Sequence, residues 1–259
     1  MEKHILNSKI FYNPGKLPLL IFHGLFGMLD NWGTLGKKFS ETNEVHLIDL
    51  RNHGRSFHSD QMSYADISDD IVSYMKHYSI DKAILLGHSL GGKSVMECAI
   101  KHPDLVEKLI VVDMAPKAYP PHHQQIFKAL DSVDFSKVSE KKEVENMLSQ
   151  YISDSGVIMF LMKNVYRTED NRFNFRFNLK TLSEKYNQLM NNPISFGKYV
   201  GPTLFISGEK SNYILKEDEF SIRQYFPNEK TIVIPNAGHW VQVDNPTDFY
   251  ETVTTFLES

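Results

Sequence analysis

Residues 84–92 read Ile-Leu-Leu-Gly-His-Ser-Leu-Gly-Gly, and this stretch gives a strong indication of both the fold and the chemistry of the chain. An apolar run leads directly into Gly87-His88-Ser89-Leu90-Gly91, and a helical pattern follows at once. This is the strand, tight turn and helix that a G-x-S-x-G motif requires, and its glycines relieve collisions in the sharp turn. Ser89 is therefore the candidate nucleophile. The alternative is an ordinary strand-to-helix connection in which Ser89 caps the helix.

Length and composition limit the class of protein. The 259 residues are enough for one large α/β domain, with or without an inserted lid. A net charge of -4 argues against nucleic acid as a partner. The single cysteine, Cys98, excludes an internal disulfide framework, and its helical, apolar neighbourhood predicts a small core residue.

The chain carries no feature that predicts membrane insertion or secretion. Its opening residues lack the basic-then-apolar shape of a secretion signal, and its most apolar stretch, residues 17–29, is interrupted by His23, Gly24 and Gly27. We therefore expect a cytoplasmic protein with no integral membrane association.

Short apolar runs bounded by turn residues recur along the chain. They are continuous rather than alternating, which is typical of strands covered on both faces. The runs are Leu19 to Phe22, Val45 to Ile48, Ala83 to Leu86, Leu109 to Val112, Thr203 to Ile206 and Thr231 to Ile234. Amphipathic helical patterns lie between them, and capping signatures begin two of these at Ser63 and Asn245. Alternating strands and helices predict a mostly parallel central sheet flanked by helices.

One segment, residues 117–196, interrupts this alternation with helical patterns. We predict that it is a helical cap inserted in a core formed by residues 1–116 and 197–259. An insertion there would lie over the carboxyl ends of the strands, where open parallel sheets bind ligands. Within it, residues 172–177 alternate polar and aromatic side chains. This stretch is either a half-buried extended segment whose phenylalanines pack the cap against the core, or the lining of an acyl channel with Arg172 and Arg176 facing an anionic head group.

His239 is the candidate general base for Ser89. It lies in the turn of residues 236–239, after the last predicted strand and before the terminal helix. A serine, an acid and a histidine in this order along the chain match one known arrangement of a nucleophile with its base. Other histidines have structural interpretations: His88 fills a variable position of the motif, and His122 and His123 are expected to be solvated.

The acid that orients His239 is a choice between two carboxylates. Asp113 ends the apolar run 109–112, where a carboxylate needs a partner such as an imidazole N–H. Glu209 lies on the loop after the next predicted strand, but Ser211 occupies the position where an aspartate would be expected. We favour Asp113; capping of a helix or turn is its alternative role.

Two backbone amides are candidates for binding the oxyanion that forms when a serine attacks a carbonyl group. Leu25 follows His23 and Gly24 in the loop after the first core strand, and Leu90 follows Ser89 directly. These roles belong to the backbone N–H groups, so they constrain the side chains little. A simple tight turn is the alternative explanation of the glycines in the first loop.

Five motifs occur in order along the chain: His23-Gly24-Leu25-Phe26-Gly27, Asp49-Leu50-Arg51-Asn52-His53-Gly54-Arg55-Ser56, Gly87-His88-Ser89-Leu90-Gly91-Gly92-Lys93, Val112-Asp113-Met114-Ala115-Pro116 and Gly238-His239-Trp240. Together they resemble the YbfF-type esterases of the α/β-hydrolase superfamily, over nearly the whole chain and least in the cap. The resemblance implies an α/β-hydrolase fold and carboxylic ester hydrolysis. It also implies Asp113 as the acid and a contact between Ser211 and the triad. Glu209 and Lys210 depart from the family pattern.

The sequence thus predicts a serine carboxylesterase that cleaves small-molecule acyl esters and needs no metal or organic cofactor. An acyl-CoA thioesterase is the alternative, with Arg167, Arg172 and Arg176 meeting the phosphates. A non-catalytic binding protein on the same scaffold is a remote alternative. A dehalogenase or epoxide hydrolase is disfavoured because it would carry an aspartate in place of Ser89.

Overall fold

All six predicted apolar runs form strands of one seven-stranded sheet in a computed structural model, which describes residues 4–259. Residues 1–3, where the sequence lacks the pattern of a secretion signal, lie outside the described residues. The strands are β1 (Ser8–Phe11), β2 (Pro18–Phe22), β3 (Glu44–Ile48), β4 (Ala83–His88), β5 (Val106–Val112), β6 (Val165–Arg167), β7 (Phe173–Phe175), β8 (Thr203–Gly208) and β9 (Glu229–Ile234).

The seven strands of the main sheet lie in the order β1-β3-β2-β4-β5-β8-β9. All neighbouring pairs are parallel except β1 with β3, which is antiparallel. The mostly parallel sheet is therefore confirmed. Sequence patterning missed β1, because this edge strand is only partly buried and reads Ser-Lys-Ile-Phe rather than as an apolar run.

Helices lie between the strands along the chain. They are α1 (Gly33–Phe39), α2 (Tyr64–His77), α3 (Leu90–Lys101), α4 (Gln124–Asp131), α5 (Lys141–Ser149), α6 (Ser155–Met162), α7 (Leu179–Asn191), α8 (Glu219–Tyr225), α9 (Val241–Asp244) and α10 (Pro246–Glu258). The two predicted caps are present: Ser63 accepts a hydrogen bond from the Asp66 amide, and Asn245 accepts one from the Asp248 amide. Across residues 4–259, no helix is both long and apolar enough to cross a membrane.

Consecutive residues of β2 pack into different apolar clusters. Leu20 and Phe22 belong to one buried cluster, and Leu19 and Ile21 belong to the other. Because successive side chains of a strand point to opposite faces of a sheet, the two clusters lie on opposite faces. Strands buried on both faces explain why their sequences are continuous apolar runs.

The segment 117–196 contains helices α4 to α7 and a small antiparallel hairpin of β6 and β7. The alternating pattern of residues 172–177 indicates an extended segment, which contains β7, but no sequence pattern predicted β6. Three phenylalanines of the alternating stretch, Phe173, Phe175 and Phe177, are buried in the cluster that also contains Leu20 and Phe22. Their burial favours the packing interpretation of this stretch. The division into a core and a cap at residues 117 and 196 stays a prediction.

We expect Gly87→Ala to destabilise the fold. A Cβ atom at this position would lie 2.2 Å from the carbonyl oxygen of Gly91, so α3 would have to move away from β4. Overpacking of this kind costs about 1–3 kcal/mol. Gly33→Ala is the matched control, because a Cβ atom there meets nothing within 4 Å. Urea unfolding of both variants measures the difference, and equal free energies of unfolding would contradict the steric argument.

Candidate active site

Ser89 lies in the turn between β4 and α3, with φ 54° and ψ −115°. A residue with a side chain rarely adopts this left-handed conformation, so the surrounding structure must hold it in place. The Ser89 amide donates a hydrogen bond to the carbonyl oxygen of Val112, 3.0 Å away. Since Val112 ends β5 and precedes Asp113, this bond places Ser89 and Asp113 at the same edge of the sheet.

The loop after β2 passes directly against Ser89. A Cβ atom added to Gly24 would lie 3.1 Å from the Cβ atom of Ser89, so a larger residue would crowd this approach. Leu25 and Leu90, the two candidate oxyanion residues, line the same narrow cavity as Ser89. Leu90 is the first residue of α3, so its amide has no acceptor within the helix and is free to bind an anion.

The structure brings Asp113 and His239 together. The imidazole Nδ1 of His239 lies 2.7 Å from Oδ2 of Asp113. The Ser211 hydroxyl donates to the same carboxylate oxygen, and the Gly208 amide donates to the other, 3.2 Å away. Asp113 is fully buried, so these three donors are what satisfies its carboxylate within the described residues.

Burial shifts the pKa values of both members of this pair toward their neutral forms. It raises the pKa of Asp113 to about 6, although the hydrogen bonds from Ser211 and Gly208 oppose the shift. Burial also lowers the pKa of His239, and the nearby His122 adds to this effect. The His239 ring is therefore neutral near pH 7. With Nδ1 donating to Asp113, its Nε2 is left as the proton acceptor.

His88 links the Ser89 turn to the His239 loop. Its Nε2 donates to the backbone carbonyl of His239, 2.8 Å away, and the two rings lie 4.7 Å apart. Burial lowers the pKa of His88 to about 3, so it acts as a neutral donor. Sequence analysis gave His88 only a variable position in the motif. Within the described residues, the Ser89 hydroxyl itself makes no hydrogen bond to His239.

Tyr213 stacks on the candidate base. Its ring lies 3.7 Å from that of His239 and is inclined by only 14°. Two further contacts fix Tyr213: its hydroxyl lies 2.6 Å from Nε2 of His122, and its carbonyl accepts a hydrogen bond from the Tyr119 hydroxyl. Tyr213 belongs to a loop between β8 and α8, where no periodicity marks an important residue, and sequence analysis missed it.

Two cavities meet at Tyr213. The inner cavity contains Ser89 and holds about 20 Å³, room for little more than one water molecule. It is lined by Leu25, Tyr64, Ser89, Leu90, Met114, His123, Tyr186, Leu189, Met190 and Tyr213. The outer cavity holds about 630 Å³ and includes His239, Ser211, Tyr213 and Lys117.

The expectation that His123 is solvated is wrong: it is half-buried and bonded to the Tyr186 hydroxyl.

Other candidates from the sequence lie elsewhere. Glu209 is exposed and accepts a hydrogen bond from the Asn236 amide, so its carboxylate supports the turn that leads to His239. Arg167 and Arg176 line a separate depression, and Arg172 pairs with Asp170. Across residues 4–259, no group of three or more His, Cys, Asp or Glu side chains is arranged to hold a metal ion. The absence of a cofactor requirement stays a prediction.

This arrangement, with a serine in a strand-to-helix turn and a histidine bonded to a buried carboxylate, occurs on a fold shared by many hydrolases. The sequence matches the family described as having the alpha/beta hydrolase fold over residues 18–246. The chain belongs to this α/β-hydrolase family, as its fold and motifs predicted.

Individual relatives give a narrower class. The chain is 37% identical to the sn-1-specific diacylglycerol lipase ABHD11 of Mus musculus, over 97% of the chain and 85% of the relative. It is 32% identical to Esterase YbfF of Escherichia coli (strain K12), over 93% and 92%. A solved structure described as a marine microorganism esterase superposes with a TM-score of 0.95, at 36% identity over 98% and 100%. The chain is a carboxylic ester hydrolase, and its predicted similarity to YbfF-type esterases is confirmed.

We expect Tyr213→Ala to lower kcat/KM for a p-nitrophenyl ester by about tenfold, because a stacked aromatic pair contributes about 0.5–1.5 kcal/mol. Tyr213→Phe keeps the ring on His239 and loses only the hydroxyl contact with the exposed His122, so it is the matched control. It should retain nearly full activity. Equal losses in the two variants would show that the hydroxyl, rather than the stacked ring, is what matters.

Proposed function

We propose that Ser89, His239 and Asp113 form a catalytic triad that hydrolyses carboxylic esters through an acyl-enzyme. The observation that carries the proposal is the hydrogen bond from His239 Nδ1 to the buried Asp113 carboxylate, because it leaves Nε2 free to act as a base. The strained turn at Ser89, which His88 joins to the His239 loop, supports the assignment of the nucleophile. Catalytic hydrogen bonds to the serine often tighten only when substrate binds.

In the proposed reaction, His239 takes the proton of the Ser89 hydroxyl as the serine oxygen attacks the ester carbonyl carbon. The amides of Leu25 and Leu90 bind the negative oxygen of the tetrahedral intermediate. Asp113 stabilises the imidazolium that forms. His239 then returns the proton to the departing alcohol, and water repeats these steps on the acyl-enzyme.

Ser211 acts in this proposal as a positioning residue for Asp113. Its hydroxyl donates to the same carboxylate oxygen that accepts from His239. This additional donor favours the charged form of Asp113, against the effect of burial on its pKa. A charged Asp113 is the form that stabilises an imidazolium.

The lining of the two cavities supports an apolar acyl group as the substrate. Tyr64, Met114, Leu189 and Met190 surround the inner cavity beside Ser89, and these side chains suit an acyl chain rather than a charged group. The alcohol would leave through the larger outer cavity beside His239. The mouse relative is named a diacylglycerol lipase, so glycerides are among the esters we propose to test.

A thioester of coenzyme A stays the alternative substrate. Arg167 and Arg176, considered for its phosphates, line a depression distinct from both of these cavities, so we favour oxygen esters. Comparing kcat/KM for a p-nitrophenyl ester and an acyl-CoA of equal chain length distinguishes the two. A higher value for the acyl-CoA would reverse this preference.

We expect Ser89→Ala to reduce kcat by about a millionfold, as loss of a triad nucleophile does, and to abolish labelling by a fluorophosphonate probe. Ser94→Ala is the control: this serine is buried one turn further along α3 and bonds only to the Leu90 carbonyl. It should keep both activity and labelling. Turnover of p-nitrophenyl esters by a pure, folded Ser89→Ala protein would refute the assignment of the nucleophile.

The acid is tested by comparing Asp113→Asn with Glu209→Gln. We expect the first change to lower kcat by about ten thousandfold, because an amide cannot hold the required imidazole tautomer. The second removes charge from an exposed carboxylate that bonds to a backbone amide, so its effect on kcat should be small. If Glu209→Gln inactivates the enzyme and Asp113→Asn leaves most of its activity, the roles must be exchanged.

A further inference from the structure

Helix α6 is apolar on every side. Its sequence, Ser-Gly-Val-Ile-Met-Phe-Leu-Met, contains no charged residue. Ile158 and Leu161 are buried, which explains one face. On the opposite face Met159 is 65% exposed, and packing within the chain gives no reason for a large apolar residue there.

A second apolar group continues this surface on the core. Trp240 lies against Phe160 of α6, with their ring centroids 5.3 Å apart, and Val243, one turn further along α9, is 62% exposed. We call Met159, Phe160, Trp240 and Val243 the apolar patch. Because Trp240 directly follows His239, the patch reaches from the segment 117–196 to the side of the candidate active site.

A basic depression adjoins the patch. It holds about 670 Å³, and we call its five cations the basic basin: Arg55, Lys141, Lys163, Arg167 and Arg176. Lys163 lies one helical turn after Met159 and therefore on the same side of α6. Helix α6 therefore places Met159 of the patch next to Lys163 of the basin.

Most of the basin's positive charge is not neutralised by neighbours. Asp30 and Glu140 also line the basin, and Asp30 pairs with Arg55 at 3.9 Å. In the part of the chain that the structure describes, the other four cations make no ion pair. Arg167 and Arg176 lie over the rings of Phe173 and Tyr166. On a chain of net charge -4, this local excess of cations would attract anions.

We propose that this surface binds the face of a lipid bilayer that contains anionic phospholipids. Met159, Trp240 and Val243 enter the head-group region, while the basin binds lipid phosphates. Exposed apolar side chains beside clustered Lys and Arg are what peripheral membrane binding requires, and a Trp is favoured at such an interface. A bilayer suits the surface better than a soluble anion, which would make no use of the apolar patch. Binding is separate from ester hydrolysis and does not depend on the proposed triad.

The test uses the full chain carrying Ser89→Ala, so that lipids are not consumed. Co-sedimentation is measured with vesicles of phosphatidylcholine alone and of phosphatidylcholine with phosphatidylglycerol. Trp240 reports insertion directly, because the other tryptophan, Trp32, is only 1% exposed. We expect binding to the anionic vesicles, with a blue shift of fluorescence, and weaker binding as salt is added. Absence of binding to anionic vesicles would overturn the proposal.

Variants distinguish vesicle binding by the apolar patch from nonspecific hydrophobic adsorption. Met159→Ser should weaken binding to anionic vesicles by about tenfold. Phe220→Ser is the matched control, since Phe220 is 74% exposed but lies on α8, outside the patch. It should bind as strongly as the parent. Equal weakening by both changes would overturn the assignment of the surface.

Three further measurements complete the test. Lys163→Gln together with Lys141→Gln should remove the preference for anionic vesicles, and an unchanged preference would contradict the role of the basin. Titration with inorganic phosphate and with coenzyme A, in the absence of vesicles, tests a soluble anion. Tight binding of either without vesicle binding would reassign the basin. Met159→Ser in the wild-type chain should still hydrolyse a soluble p-nitrophenyl ester, which separates this inference from the proposed function.

Discussion

The buried carboxylate of Asp113 is the constraint on which the arrangement of the site depends. A buried carboxylate without donors is strongly unfavourable, so the fold must supply them. The amide of Gly208, the hydroxyl of Ser211 and the imidazole of His239 do so. These donors come from the end of β8 and from the loops after β8 and β9, which can reach Asp113 because β8 lies between β5 and β9. The order of the strands therefore determines whether the buried carboxylate of Asp113 can receive these three hydrogen bonds.

Backbone strain on both sides of the site has a related cause. Ser89 and Asp113 have φ values of 54° and 51°, which side-chain-bearing residues seldom adopt. Each is held by a bond to the neighbouring strand: the Ser89 amide donates to Val112, and the Asp113 amide donates to Ile206. These unfavourable backbone conformations persist because hydrogen bonds to the neighbouring strands hold them in place. They turn both side chains to the edge of the sheet where His239 lies.

The sequence predicted the elements that local pattern determines. Strands β2 to β5, β8 and β9 were visible because burial on both faces makes them continuous apolar runs, whereas the edge strand β1 and the hairpin of β6 and β7 lack that signal. The residues Ser89, Asp113 and His239 could be proposed because each follows a recognisable strand. Tyr213 and His123 could not, because their positions depend on contacts with residues distant in sequence, such as His239 and Tyr186. Tertiary packing brings these pairs together, and no spacing along the sequence predicts that they are in contact.

The inner cavity must enlarge before an acyl chain can enter, and the two sides of the site resist movement differently. On the core side, hydrogen bonds fix Asp113, His239 and the turn at Ser89. On the other side, the segment 117–196 is held by apolar packing, which has no preferred direction, and by hydrogen bonds to the core at several points. These include the bond from Tyr64 to the Leu189 carbonyl and the bond from Lys93, whose pKa burial lowers to about 8, to the Asn192 carbonyl. Leu189 and Met190 of this segment line the inner cavity, and a rearrangement of these apolar side chains would enlarge it without breaking the hydrogen bonds at the catalytic edge of the sheet.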